Sequence, residues 1–159
     1  MKTIFKISLL TLISLISFDA AAQTSKYKCM LQMSNYVGEG AYVVVSLINP
    51  KGAYEKTMYV MGDDKKWYKT IKEWHKYQSK KKENLSAKTG ASVTGGDRSI
   101  TTIEIDDSKI NKGYSIRFET SVEDNKYYVS DAEIPLTTVG LTTKTEGKGY
   151  IRYVRFNKI

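Results

Sequence analysis

Most of this chain is written in short stretches that alternate apolar with polar residues, separated by turn residues. Side chains on an extended backbone point to opposite faces in turn, so a period of two buries one face only as a strand. In Lys26–Ser34, the residues Tyr27, Cys29, Leu31 and Met33 share a face. In Gly113–Val122, the residues Tyr114, Ile116, Phe118, Thr120 and Val122 do the same, and Ser99–Ile105 also alternates. Ala41–Ile48 (AYVVVSLI) is nearly all apolar and β-branched, which predicts a central strand. Asn49-Pro50-Lys51-Gly52 is a turn signal, and Tyr54–Met61 follows as the predicted hairpin partner. Tyr127–Ile134 reads as a further strand, and Thr137–Lys144 with Gly149–Asn157 as a closing hairpin around Glu146-Gly147. Strands this short, with turns about every 8–12 residues, predict a mostly β protein: an antiparallel immunoglobulin-like sandwich.

One segment breaks the pattern. In Asp64–Lys82 the residues Trp67, Ile71, Trp74 and Gln78 recur at helical spacing, which predicts an amphipathic helix inserted between strands. Lys65, Lys69, Lys72 and Lys76 fall largely off that stripe. Asp63 or Asp64 is placed to cap its first turn. Residues 65–82 hold eight lysines and one acid, Glu73. Beyond the first 22 residues the chain carries 23 basic and 16 acidic residues, so this one segment accounts for the whole excess of charge. Two readings of it stay open: a solvated outer face of a packed helix, or a basic surface for an acidic protein or an anionic membrane leaflet. Nucleic acid is not expected, because no recognised reader motif is present.

Residues 1–22 read as a secretory signal. Lys2 and Lys6 precede an apolar run from Ile7 to Phe18, too short to span a bilayer, and Ala20-Ala21-Ala22 supplies small residues for cleavage near Ala22. The working protein is then a single β-sandwich domain of residues 23–159, exported. A single cysteine excludes an intramolecular disulfide and a multi-cysteine metal site. Cys29 alternates with apolar residues and reads as a buried, inert thiol. With one histidine, and no legible nucleophile–base pair or carboxylate dyad, the residues by themselves point to no turnover-enzyme site.

A candidate for chemistry lies in the polar stretch Glu83–Arg98. Thr89-Gly90-Ala91-Ser92, followed by Thr94, resembles the acceptor sequence of proteins that carry covalent FMN, to which an exported flavin transferase links the cofactor by a phosphoester. The resemblance makes Ser92 the acceptor, with Thr89 and Thr94 as the flanking hydroxyls. Gly90 and Ala91 leave the backbone accessible. The acceptor pattern has an acidic residue where this chain has Ser86. Trp67, Tyr68 and Trp74 are candidates to wall a flavin ring by stacking, with core packing as the other role open to the two tryptophans.

The wider order of residues is similar to an exported bacterial family, the predicted periplasmic domain-of-unknown-function family 2271. It is carried by Tyr42–Leu47, Asn49–Gly52, Thr57–Val60, Lys66–Trp74, Thr89–Ser92, Gly96, Gly113-Tyr114 and Glu119. It covers about residues 41–123, and the Trp-Tyr helix followed by the Gly-Ala motif is its most specific part. The family usually has a Trp-Asp-Gly further on, of which Ile105-Asp106-Asp107 is a loose echo. Its later part resembles the immunoglobulin-like domain of flagellar hook-capping proteins, which again implies a sandwich. Its members tend to be encoded beside flavin transferases and PepSY-type membrane proteins. The resemblance therefore implies a periplasmic location, a flavin transferase and a membrane redox protein as partners, and electron transfer as the role. The alternative is a cofactor-free sandwich module that binds a partner through its basic Trp/Lys helix.

Overall fold

The computed structural model describes residues 23–159, so the expected signal segment lies outside the described residues. The strands are β1 (Thr24–Met33), β2 (Tyr42–Ile48), β3 (Tyr54–Met61), β4 (Thr89–Gly90), β5 (Arg98–Asp106), β6 (Ser115–Ser121), β7 (Tyr127–Pro135), β8 (Thr145–Glu146) and β9 (Ile151–Lys158). They form two sheets, in the orders β5-β1-β9-β8 and β4-β3-β2-β6-β7. Pairings are antiparallel except β3–β4, where Val60 faces Thr89 and Met61 faces Gly90 in parallel register. This is a mostly β, two-sheet sandwich with one inserted α-helix, α1 (Lys72–Lys81), and it is consistent with the immunoglobulin-like class.

The alternation does its expected work between the sheets. Leu31, Met33 and Val154 from one sheet pack against Val45, Ile116 and Phe118 from the other, all buried. Cys29 sits in this core, where burial pushes its thiol up to about 12 and keeps it protonated and inert. Strand β2 is buried along its whole length, on both faces. Its second face is covered by the helical segment: Tyr42 and Val44 of β2 and Val60 of β3 pack with Tyr68, Ile71 and Trp74. That double cover is the reason its sequence is almost continuously apolar.

Two expectations are corrected. The predicted helix over 65–82 is two pieces: a 3₁₀ segment, Lys65–Thr70, then α1. Asp64 caps the first piece, accepting from the Lys66 N–H at 3.1 Å. Ile71 leaves helical geometry at φ −88° and ψ 74°. In the 3₁₀ piece Tyr68 faces inward, where its hydroxyl donates to the Gly62 carbonyl at 3.1 Å, and Trp67 is half-buried. An unbroken helix on the apolar stripe would have done the reverse.

The second correction concerns Thr137–Lys144, which is not a strand. It winds through a 3₁₀ turn at Gly140–Thr142, with Leu141 buried, and only Thr145–Glu146 pairs with β9. Its hydroxyls bond locally to the backbone. Thr137 Oγ1 accepts from the Gly140 N–H at 2.9 Å, and Thr143 Oγ1 donates to the Val139 carbonyl at 2.8 Å. Such bonds offer the backbone an alternative to a sheet ladder.

Candidate functional site

The segment Thr89–Thr94 is not a free loop. Its first half is the edge strand β4 beside β3, and the Gly62 N–H donates to the Gly90 carbonyl at 2.7 Å. Just beyond Ser92, Val93 is buried and exchanges two backbone bonds with Ala41, at 2.8 and 3.0 Å. Past Thr94 a tight turn is tied to β1, where the Gln32 amide donates to the Gly96 carbonyl at 2.8 Å. Ala91 and Ser92 are thus an exposed link held at both ends. Although Glu83–Arg98 is polar in composition, backbone pairing to distant strands holds its Thr89–Gly96 part in place.

Close approaches explain the small residues here. A Cβ on Gly90 would stand 2.6 Å from the Tyr59 hydroxyl, and one on Gly40 would stand 2.5 Å from Ser92 Oγ. The three hydroxyls differ. Thr89 Oγ1 is committed to the Leu85 carbonyl at 2.9 Å and is half-buried. Ser92 and Thr94 are exposed, and neither side chain makes a hydrogen bond among the described residues. Ser86, in place of the acidic residue of the acceptor pattern, is exposed in a one-turn 3₁₀ segment. Its N–H donates to Asn84 Oδ1 at 3.0 Å.

The two ends of the motif face different cavities. Thr89 lines one of about 550 Å³ beneath α1, with Lys65, Tyr68, His75, Gln78 and Glu83. Ser92 lines a cleft of about 220 Å³ on the other side, with Tyr59, Met61, Asp97 and Arg98. Tyr59 is shared with a neighbouring groove of about 420 Å³ that runs along the seam between β3 and β5. In the helix-side cavity, burial acts to raise the Glu83 carboxyl. The Tyr77 hydroxyl, the Thr57 N–H and nearby Lys88 outweigh burial and hold it below its ordinary value.

The aromatic residues read as a flavin wall are differently placed. Trp74 is fully buried, and its indole N–H donates to Thr57 Oγ1 at 3.0 Å, which fits the core role left open for it. Tyr68 is buried and crosses Trp74 edge to face at 5.2 Å. Trp67 keeps part of its ring in solvent, with Lys66 over it. None of the three lines the Ser92 cleft. Lys65, Lys69, Lys72 and Lys76 are all exposed. Lys76 pairs with Glu73 at 2.7 Å; the other three make no ion pair among the described residues.

A polar cluster centred on Glu119, a residue that enters the family resemblance but to which the strand pattern assigns no role, holds α1 in place. Glu119, on the helix-facing side of β6, is fully buried. Its carboxylate accepts from the hydroxyls of Tyr54 and Tyr127 and from the Trp74 N–H at 3.4 Å. The Tyr127 hydroxyl also accepts from the Glu73 N–H at 3.1 Å. Two unpaired donors of the α1 N-terminus are thereby satisfied from the sheet. Burial pushes the Glu119 carboxyl above its ordinary value, against those hydrogen bonds and nearby Arg117. Burial, then the carboxylate, push Tyr54 and Tyr127 upward as well. The parity of β6 places Glu119 opposite Phe118, where an acid reads as solvent-facing; only the packed helix makes it interior.

No group of three or more potential metal ligands occurs among the described residues, and no helix among them is long and apolar enough to cross a membrane. Ser92 is an exposed residue on a pinned edge of the β-sandwich, with a cleft beside it and a larger cavity at Thr89. The family described as "Predicted periplasmic protein (DUF2271)" matches residues 24–153, and the chain belongs to that family. No curated protein and no solved structure matches it.

Proposed function

We propose that the protein is an exported electron carrier that holds FMN on Ser92. The observation that carries this reading is the state of Ser92: an exposed residue whose hydroxyl lies beside Gly40 and makes no hydrogen bond among the described residues, on a link fixed at both ends. A fixed link presents the same geometry to a modifying enzyme each time. Arg98 in the same cleft supplies positive charge for a phosphodiester, with Asp97 beside it.

Ser92 Oγ would attack the FMN-side phosphorus of a flavin dinucleotide held by a flavin transferase. The Oγ–P bond forms, the pyrophosphate P–O bond breaks, and AMP leaves with the hydroxyl proton. When bound, the flavin supplies redox chemistry that a chain with one buried cysteine and one histidine lacks. A PepSY-type membrane redox protein is the electron partner in this reading. Co-expression with an active flavin transferase, followed by intact-mass analysis, tests it. Wild type should gain one FMN residue and Ser92→Ala none; an unmodified wild type defeats the proposal.

The exposed lysines favour a second reading, a cofactor-free module that docks an acidic partner or an anionic leaflet through Lys65, Lys69, Lys72 and Lys76. Such binding weakens steeply with salt, because exposed charges are screened beyond about 8–10 Å at physiological ionic strength. Reversing Lys69, Lys72 and Lys76 to Glu should slow association more than it speeds dissociation. Binding that ignores both salt and the triple reversal would assign the lysines to solvent alone.

A further inference from the structure

We infer that the seam groove between β3 and β5, rather than the Trp-bearing helix, seats the isoalloxazine ring of a flavin on Ser92; this rests on the flavin reading above. Size separates the cavities first. The Ser92 cleft, at about 220 Å³, falls below the range of roughly 300–1,000 Å³ in which ligand pockets occur, so it suits the phosphate and the start of the ribityl chain. The adjoining groove, at about 420 Å³, lies within that range. Tyr59 lines both, so the two cavities share the Tyr59 ring as a common wall.

The groove is shaped for a flat ring by an irregularity in the sheet. Pairing between β2 and β3 slips after Val45–Tyr59, leaving Met58 without a partner before Ser46–Thr57. The slip lets two neighbours, Met58 and Tyr59, face the same groove, where regular alternation would send one to each side. Ile103 of β5 closes the apolar floor, and Lys56 and Lys88 stand at the walls. A thioether and a phenol ring are good neighbours for an aromatic plane.

Charge then favours this side. Lys56 beside the ring stabilises the anion formed when a flavin takes up electrons, whereas Lys88 Nζ donates to the Thr57 carbonyl at 3.0 Å. The one carboxylate here, Glu104, is paired with Lys26 at 3.5 Å. The larger helix-side cavity places Asp63 and Glu83 beside Lys65 and His75, and it opens to Thr89 instead of Ser92.

The test uses the full exported chain flavinylated by a co-expressed transferase, with occupancy read by intact mass in every sample. Phenols in contact with a flavin quench its emission. Tyr59→Leu should therefore raise flavin emission per bound flavin several-fold and increase its quenching by iodide, and Trp67→Leu should leave both unchanged. Because Tyr59 also touches the motif, an exposed wall residue gives an independent measurement: Lys56→Glu should lower the flavin midpoint potential, and Lys69→Glu should not. Emission unmoved by Tyr59→Leu, or a potential unmoved by Lys56→Glu, overturns the groove as the seat while leaving the flavin on Ser92. A mass increment on Thr89 also overturns it and moves the ring to the helix side. No increment on wild type removes the flavin reading and the seat together.

Discussion

The two faces of the five-stranded sheet are buried by different means. The inner face is covered by the other sheet through side chains such as Val43, Val45, Ile116 and Phe118, and its stabilisation comes from apolar area removed from water. The outer face is covered by a ten-residue helix and a 3₁₀ turn, and between them lie Glu119, Thr57 and the tyrosine hydroxyls. The inner face is mostly hydrophobic, with one buried polar pair at its margin, Thr120 donating to Asp131 at 2.6 Å. The outer face also buries polar atoms, most of them paired; Ser46 Oγ, Ser121 Oγ and Gln78 Oε1 are not, and a buried donor or acceptor left unmade costs about 1–3 kcal/mol. The same sheet thus has a tolerant side and an exacting one, and the Thr89–Ser92 edge hangs from the strand, β3, that serves both.

The largest effect expected from breaking this contrast is on the tolerant side. Phe118→Ala leaves a cavity in the inter-sheet core and should cost about 3–5 kcal/mol in denaturant unfolding. A volume-conserving Ile116→Leu should cost under about 1.5 kcal/mol if packing there is as permissive as described.

Next in size is the exacting side. Glu119→Ala strips the acceptor from two tyrosine hydroxyls and one helix N–H, and should cost about 2–3 kcal/mol. The loss should appear first as faster amide exchange in α1, ahead of the inter-sheet strands.

Glu119→Gln sharpens the comparison through pH. Burial holds the folded carboxyl above its ordinary value of 4.5, so the folded state binds its proton more tightly than the unfolded chain. The Glu119 contribution is therefore most favourable below 4.5 and diminishes as pH rises through the folded value. Wild type should lose stability relative to Glu119→Gln over that rise. Glu83 and Glu133 act in the opposite sense. Burial works to raise both, but hydrogen bonds and neighbouring cations hold them below their ordinary values, so their contribution is present above 4.5 and fades as pH falls through the folded values. A difference curve between wild type and Glu119→Gln that is flat with pH would remove Glu119 from the account.

The smallest stability effect and the largest chemical one are expected at the edge. Ser92→Ala should change stability by less than about 0.5 kcal/mol while abolishing flavin attachment. Ser92→Thr should retain attachment. Ser86→Asp should raise occupancy if the acid is what a transferase recognises, and intact mass reads all three.

How much of this was legible in the sequence follows from the same contrast. The period of two in β1, β5 and β6 and the apolar run of β2 are local signals, and they place the strands within a residue or two. Helical spacing finds Ile71 and Trp74 but misses the break at Ile71, because the packing that buries Tyr68, Ile71 and Trp74 together against β2 and β3 is tertiary. The threonines of 137–143 look like strand residues until their hydroxyls are seen to bond their own backbone. Glu119 is silent in a strand pattern, since its partners come from β3, β7 and α1. The motif itself stands out by its residues. Its setting between two cavities does not, because that depends on β4 joining the edge of β3 in parallel.

The most direct test of the central claim is the identity of one peptide. Trypsin cleaves after Lys88 and Arg98, so Thr89–Arg98 carries Thr89, Ser92 and Thr94 together. Tandem mass spectrometry of this peptide, from protein recovered from the exported fraction of its native host, should show one FMN phosphoester, with fragments that place it on Ser92. The same peptide recovered only in unmodified form, from cells in which another flavin-transferase substrate is modified, would contradict the account.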